Sequence, residues 1–159
     1  MEKIYVGKIV NTFGIKGELK IATDFEMADK IFQKDKTIII ANETFQITSV
    51  RYHKNNYLVV INGLFDINLV LKYKNQSVYA LKEALELKDD DYLMTDLLDL
   101  AVYDNNLLIG KVSEVITSKA NPLIKVNDQF YIPIKANYIK NIDLKNKRID
   151  TENTKELRL

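Results

Sequence analysis

The residues of this chain that could do chemistry are few, and they fall in three places. The first is Phe13-Gly14-Ile15-Lys16-Gly17-Glu18, where two glycines three apart enclose a cation. Gly14 and Gly17 permit a tight backbone turn with Lys16 near its tip, and exposed amides beside one cation can hold a phosphate without reading bases. The alternative is a corner between two strands, glycine-built because a side chain would clash, with Lys16 simply solvated. The second place is Arg51-Tyr52-His53-Lys54, which carries the only histidine of the chain. Arg51 and Lys54 are candidates for contact with an RNA backbone; the plain alternative is an exposed hairpin turn. The third is Asp89-Asp90-Asp91, followed by Tyr92 and Leu93. These carboxylates, with Asp96 and Asp99, have neither the spacing nor the glycine of a calcium loop, and they read as a solvated acidic connector. An aromatic ring beside such a connector is either a core residue or an anchor for a protein partner.

What is missing narrows the function further. There are no cysteines, which excludes disulfides, thiol catalysis, iron–sulfur clusters and thiolate zinc sites together. One histidine excludes a His-rich metal cage. No catalytic constellation and no metal or cofactor site is expected. With 23 basic and 22 acidic side chains the net charge is +1, so no whole-molecule basic field marks a nucleic-acid binder. No stretch approaches the 18 consecutive apolar residues that a membrane helix needs, and MEKIYVGKIV lacks the apolar run of a signal peptide. A soluble, cytoplasmic protein with no membrane partner is expected.

The elements that must position these residues are strands. KIYVGKIV (3–10), GELKIA (17–22), TIIIA (37–41), TFQITSVRY (44–52) and YLVVI (57–61) are short and rich in β-branched or aromatic residues. In GELKIA, Leu19 and Ile21 share one face while Glu18 and Lys20 take the other. FDINLVLKYK (65–74) has helical spacing with Asp66 as N-cap, and EMADKIF (26–32) is a shorter helical piece. After residue 90, LAVYD (100–104), LLIGKVSEVIT (107–117), LIKV (123–126), QFYIPI (129–134), NIDL (141–144) and RID (148–150) are separated by three hairpin turns. Pro133 places its strand at an edge or a bulge, because proline cannot donate to the ladder. Leu97 and Leu98 are expected in the second core. The reading is all-β: two small β-barrel domains at 1–83 and 92–159, one or two short helices, and a linker at 84–91. Charge follows the division, with +3 over residues 1–83 and −2 over 84–159.

The order of these features resembles the bacterial ribosome maturation factor RimM family. VGKIVNTFGIKGELKI (6–21) and TDFEMADKIF (23–32) look like its opening, and the similarity continues through ITSVRYHKNNYLVVINGLFDINLVL (47–71). It resumes with DYLMTDLLDLAVY (91–103), LIGKVSEVI (108–116), NPLIKV (121–126), YIPI (131–134) and IKNIDLKNKRI (139–149). The resemblance implies an N-terminal β-barrel similar to those of translation factors and a C-terminal PRC barrel. It implies a non-enzymatic assembly factor without a cofactor, acting as a monomer. Its partners would be the small ribosomal subunit precursor, a ribosomal protein of the subunit head, and nearby 16S-type rRNA whose folding and processing it assists. Tyr92 and Leu93 stand where the family has adjacent tyrosines implicated in partner contact. The chain departs from the family pattern there, at Phe13 (usually histidine), at Asp99 (usually glycine), and at Val70-Leu71 (usually Ala-Glu). Two other readings remain open from the residues: an RNA-modifying or RNA-cleaving enzyme acting on the same substrate, and a PRC-barrel adaptor that binds only protein. Limited proteolysis is expected to cut close to Lys88 and leave a folded C-terminal piece; cleavage seen only together with global unfolding would overturn the two-domain reading.

Overall fold

Leu19 and Ile21 are fully buried while Glu18 and Lys20 are half-buried on the other face, and the same period-2 burial writes most of the strands. A computed structural model describes residues 2–159, which divide into two compact units parted between Asp89 and Asp90. The first holds β1 (Lys3–Phe13), β2 (Glu18–Ala22), β3 (Thr37–Ile40), β4 (Glu43–His53), β5 (Asn56–Ile61) and β6 (Ser77–Leu81), closed into a barrel in the order β1-β2-β5-β4-β3-β6. Two single-turn helices accompany them, α1 (Ala28–Ile31) and α2 (Ile67–Val70).

Burial runs without a break along β5 from Tyr57 to Ile61, which alternation alone does not explain. Tyr57 and Val59 lie opposite Ile21 and Leu19 and share their inner face, with Phe32 stacked on Tyr57 at 4.8 Å between ring centroids, while Leu58 and Val60 on the other face are covered as well. The helical segment expected over 65–74 is broken in two. Asp66 caps α2, its side chain accepting from the Asn68 N–H at 2.9 Å, and Leu71–Tyr73 follows as a 3-10 turn. Only Val70 and Tyr73 turn inward, and Asn75 then adopts φ +71° to donate its N–H to the Ile9 carbonyl at 2.8 Å. One inward position per turn cannot sustain a longer helix. β6 adds a strand to those expected from sequence. It pairs antiparallel with both β1 and β3 and closes the barrel. A 3-10 turn over Lys82–Leu85 comes next, packing against α1 with Leu85 buried.

The second unit is barrel-like, a six-stranded sheet of β7 (Ala101–Asp104), β8 (Leu107–Ile116), β9 (Leu123–Val126), β10 (Phe130–Pro133), β11 (Ile139–Asp143) and β12 (Arg148–Thr151). Their order is β10-β9-β8-β7-β12-β11, with β12 parallel to β7 and the other neighbours antiparallel. Asn105-Asn106 and Asn127-Asp128 turn two of the hairpins with φ between +50° and +68°, the left-handed pair that matches strand twist. Pro133 lies on the edge strand β10. Leu97, Val102, Val112, Ile124, Val126, Ile132 and Ile149 form the centre of the core. Leu98 departs from the expectation: it is 45% exposed. Met94–Leu97 is a single 3-10 turn, and where Leu97 at its end faces the core, its neighbour faces away. Leu97→Ala should therefore cost about 2–5 kcal/mol in urea denaturation, and Leu98→Ala no more than about 0.5 kcal/mol.

Candidate nucleic-acid interface

β1 and β2 are joined by the four residues 14–17, so the GIKG segment is a turn between strands at one end of the barrel. Gly14 has φ +67° and Gly17 φ +84°, in the left-handed region that side chains disfavour. At Gly17 space is lacking as well, because a Cβ would collide with the Leu64 carbonyl oxygen. The turn is pinned to the segment that leads into α2: the Ile67 N–H donates to the Ile15 carbonyl at 3.1 Å. Ile15 and Lys16 are left exposed at its tip, with Ile15 78% accessible.

The strands beside the turn bring a second group of residues to it. β2 pairs with β5 and β5 with β4, which sets Glu18 and Arg51 side by side across the sheet. Arg51 Nε donates to Glu18 Oε2 at 2.9 Å and Nη2 to Oε1 at 3.0 Å, a bidentate pair. The guanidinium carbon lies 5.4 Å from the centre of the Phe13 ring, and His53 packs edge-on against the same ring at 5.3 Å. The Arg51 hydrogen bonds hold the Glu18 carboxyl below the usual glutamate value, against an opposing effect of partial burial; the charges of Arg51, His53 and Lys16 add to the lowering. Lys16 is thus close enough for its charge to be felt at Glu18. Lys54 follows His53 at the tip of the β4–β5 hairpin, with φ +47° and its carbonyl accepting from Asn56 Nδ2 at 3.1 Å.

The structure therefore brings Lys16 into the electrostatic neighbourhood of Arg51 and His53 and puts Lys54 next in the chain. It changes the role open to Arg51, whose guanidinium is taken up by Glu18 and does not stand as a free cation. Among the described residues neither Lys16 nor Lys54 has an ion pair. Phe65, 60% exposed in the segment against which the turn is pinned, was not foreseen as part of this surface. The cross-sheet register that joins Glu18 to Arg51 has no signature within either strand. The outward Phe65 could have been suspected from its place just before the cap Asp66.

In the second unit Tyr92 is half-buried, packed against the core. Leu93 corrects the expectation of a partner contact. It is 3% exposed, and its N–H donates to Asp96 Oδ2 at 2.9 Å, fixing its backbone at the start of the Met94–Leu97 turn. Asp89 and Asp90 are exposed and Asp91 half-buried. Among the described residues no three His, Cys, Asp or Glu side chains converge as metal ligands. No helix among them is long and apolar enough to cross a membrane.

The family model of the RimM N-terminal domain matches residues 4–85, and that of the RimM PRC barrel domain matches residues 94–157. The chain belongs to the RimM family. A ribosome maturation factor RimM of Clostridium botulinum is 36% identical over 154 residues, covering 94% of this chain and 93% of its own. That of Staphylococcus saprophyticus is 31% identical over 157 residues, covering 92% and 94%. The solved RimM structure from Pseudomonas aeruginosa covers 95% of this chain and 97% of its own, at 19% identity and a TM-score of 0.49. Both halves of the RimM pattern are thus present in order, and the GIKG turn lies within the first.

A carboxylate whose pKa is lowered by folding stabilises the protein above its unfolded value and loses that contribution as pH falls through the folded value. Arg51→Met is expected to be less stable than the parent at neutral pH. The difference should fade only below the ordinary glutamate value of 4.5, as acid titrates Glu18 in the parent. The Glu18 carboxyl resonance, followed by NMR titration, should move back to the ordinary range in Arg51→Met.

Proposed function

We propose that this RimM-family chain is a ribosome maturation factor that binds the immature small ribosomal subunit at its head and assists the folding and processing of the rRNA there. The observation that carries the reading is the match along 94% of the chain to a relative named a ribosome maturation factor, with both domains in the same order. The geometry of the first unit suits it. A turn held rigid by Gly17 against Leu64 and by the Ile15–Ile67 hydrogen bond presents Lys16, and Lys54 stands at a neighbouring hairpin tip. Two unpaired cations on preformed turns contact phosphates with little conformational entropy to lose, and such contacts fix position without selecting sequence.

The second unit is the protein-binding side of this reading, with Tyr92 as the residue that docks on a ribosomal protein of the head. Part of its ring is packed against the core and part is accessible, so it is held in one orientation before any partner arrives. Asp89 and Asp90 beside it would attract a basic surface and speed encounter more than they tighten the complex. The factor works as a cytoplasmic, non-enzymatic monomer. It assists folding by differential affinity, tight for the immature head and weak for the mature one, because a ligand shifts an equilibrium only by the difference in its affinities for the two states.

Lys16→Ala combined with Lys54→Ala should weaken binding to immature subunits and flatten the dependence of log affinity on log salt by about 0.7–0.9 for each cation removed. Unchanged affinity and slope in a folded variant would exclude the phosphate role. Tyr92→Ala should lower affinity for the isolated head ribosomal protein by about thirtyfold. Leu97→Ala, compared at a temperature where both variants remain folded, should lose stability without that loss of affinity.

A further inference from the structure

A second exposed surface of the first unit lies away from the GIKG turn, towards the start of β1. Register places Tyr5 of β1 directly opposite Tyr79 of β6. Both rings face outward, 55% and 38% exposed, and they meet edge to face with centroids 5.8 Å apart and planes at 79°. Next to them is an open groove of about 410 Å³, lined by Lys3, Asn42, Asn75, Gln76, Ser77 and Tyr79 among others. Lys3 and Tyr5 are alternate residues of β1 and so share its outer face. After the irregularity between Tyr5 and Gly7, Lys8 is again exposed and pairs with Ser77 of the groove.

The groove is preformed. Asn75 N–H donates to the Ile9 carbonyl at 2.8 Å and Ile9 N–H to the Gln76 carbonyl at 2.9 Å, so its floor is an extension of the β1–β6 ladder. Among the described residues no carboxylate lines it. The acidic neighbour just before β1, Glu2, faces Lys82 at 4.0 Å, whereas Lys3 and Lys8 have no ion pair among the described residues. A cross-strand tyrosine pair by itself is ordinary sheet stabilisation. Here it stands beside unpaired cations and a row of side-chain amides with no opposing charge, and that combination matches the three parts of an unpaired nucleotide. The ring takes the base face, the ammonium takes the phosphate, and the amides reach the base edge.

We propose that Tyr5 and Tyr79, with Lys3 and Lys8, form a second RNA-binding site that stacks one or two unpaired nucleotides of single-stranded RNA on the outside of the barrel. From Tyr5 to Phe13 is about 26 Å along β1 at ~3.3 Å per residue, so this site and the GIKG turn are separate footprints. The proposal extends the ribosome reading and fails separately from it, because its ligand is a short oligonucleotide and not the subunit.

The experiment titrates the full chain with a labelled oligouridine of eight nucleotides and, in parallel, with a duplex of the same length. The protein has nine tyrosines and no tryptophan, so quenching of its own fluorescence reports tyrosine stacking. Single-stranded RNA should bind with quenching and the duplex should not. Tyr5→Leu with Tyr79→Leu keeps apolar bulk in both strands but removes the rings, and it should lower affinity at least fivefold. Tyr5→Phe with Tyr79→Phe should retain binding. Lys3→Ala with Lys8→Ala should flatten the salt slope by about 1.4, 0.7 for each cation on a single strand. Lys145→Ala, which removes an exposed cation of the second unit, should leave oligonucleotide affinity unchanged. Equal affinity for the folded leucine variant and the parent, or no oligonucleotide binding by the parent, overturns the proposal. So does a ribosomal protein that binds this face and is lost in the leucine variant while the oligonucleotide does not bind, since that assigns the surface to a protein contact.

Discussion

The first unit depends on a single long strand that must pair on both sides and still curve around a barrel. β1 meets β6 with its first half and β2 with its second, and its register slips between Tyr5 and Gly7 and again between Ile9 and Asn11. Each slip adds local twist and bends the strand, which allows six strands to close without an unpaired edge. Val6 and Ile9 remain fully buried through the bends. The same slips decide where the functional residues go. The first restores the outward face so that Lys8 follows Tyr5 there, and the second delivers Phe13 opposite Glu18 at the mouth of the GIKG turn.

Patterns that are local in sequence could be read from it, and patterns that depend on long-range pairing could not. Strands such as 18–22 and 123–126 carry their own alternation, and the Asn-Asn and Asn-Asp turns carry their own backbone preference. Pro133 announced its edge because a missing N–H is a local fact. β6 has only two core residues, Val78 and Ala80, and exists because β1 and β3 each offer it a ladder. The direction of Leu98, the burial of Leu93 and the pairing of Arg51 with Glu18 are also settled by distant partners. Thus Gly14, Gly17, Lys16 and Lys54 were legible as a turn and its cations, whereas the neutralisation of Arg51 was not.

That neutralisation shapes the electrostatics of the whole end of the barrel. Arg51, one of three arginines in the chain, is used to hold β4 to β2 and to cover Phe13 rather than to reach outward. An arginine bound through both arms is planar and rigid, and it orients the ring beneath it. Lysines are what remain for solvent and ligands. A lysine meets a phosphate as a hydrated point charge, with less geometric demand than a guanidinium fork, so contacts built on Lys16 and Lys54 are adaptable and individually weak.

Weak, adaptable contacts suit the proposed role because an assembly factor must leave as well as bind. A protein of net charge +1, whose 23 basic side chains are offset by 22 carboxylates, gains little from the general phosphate field of the ribosome. In the proposed reading its affinity comes from meeting several contacts together, some on rRNA through the first unit and one on protein through the second. Two modest contacts on one chain reinforce each other, since the first raises the effective concentration of the second by joining them through a short connector. The same arithmetic makes release sharp. When maturation moves either surface out of reach, the multiplication is lost at once and each remaining contact is too weak to hold the factor. In that reading, selectivity for the immature state follows from losing one of the paired contacts and needs no strong contact anywhere.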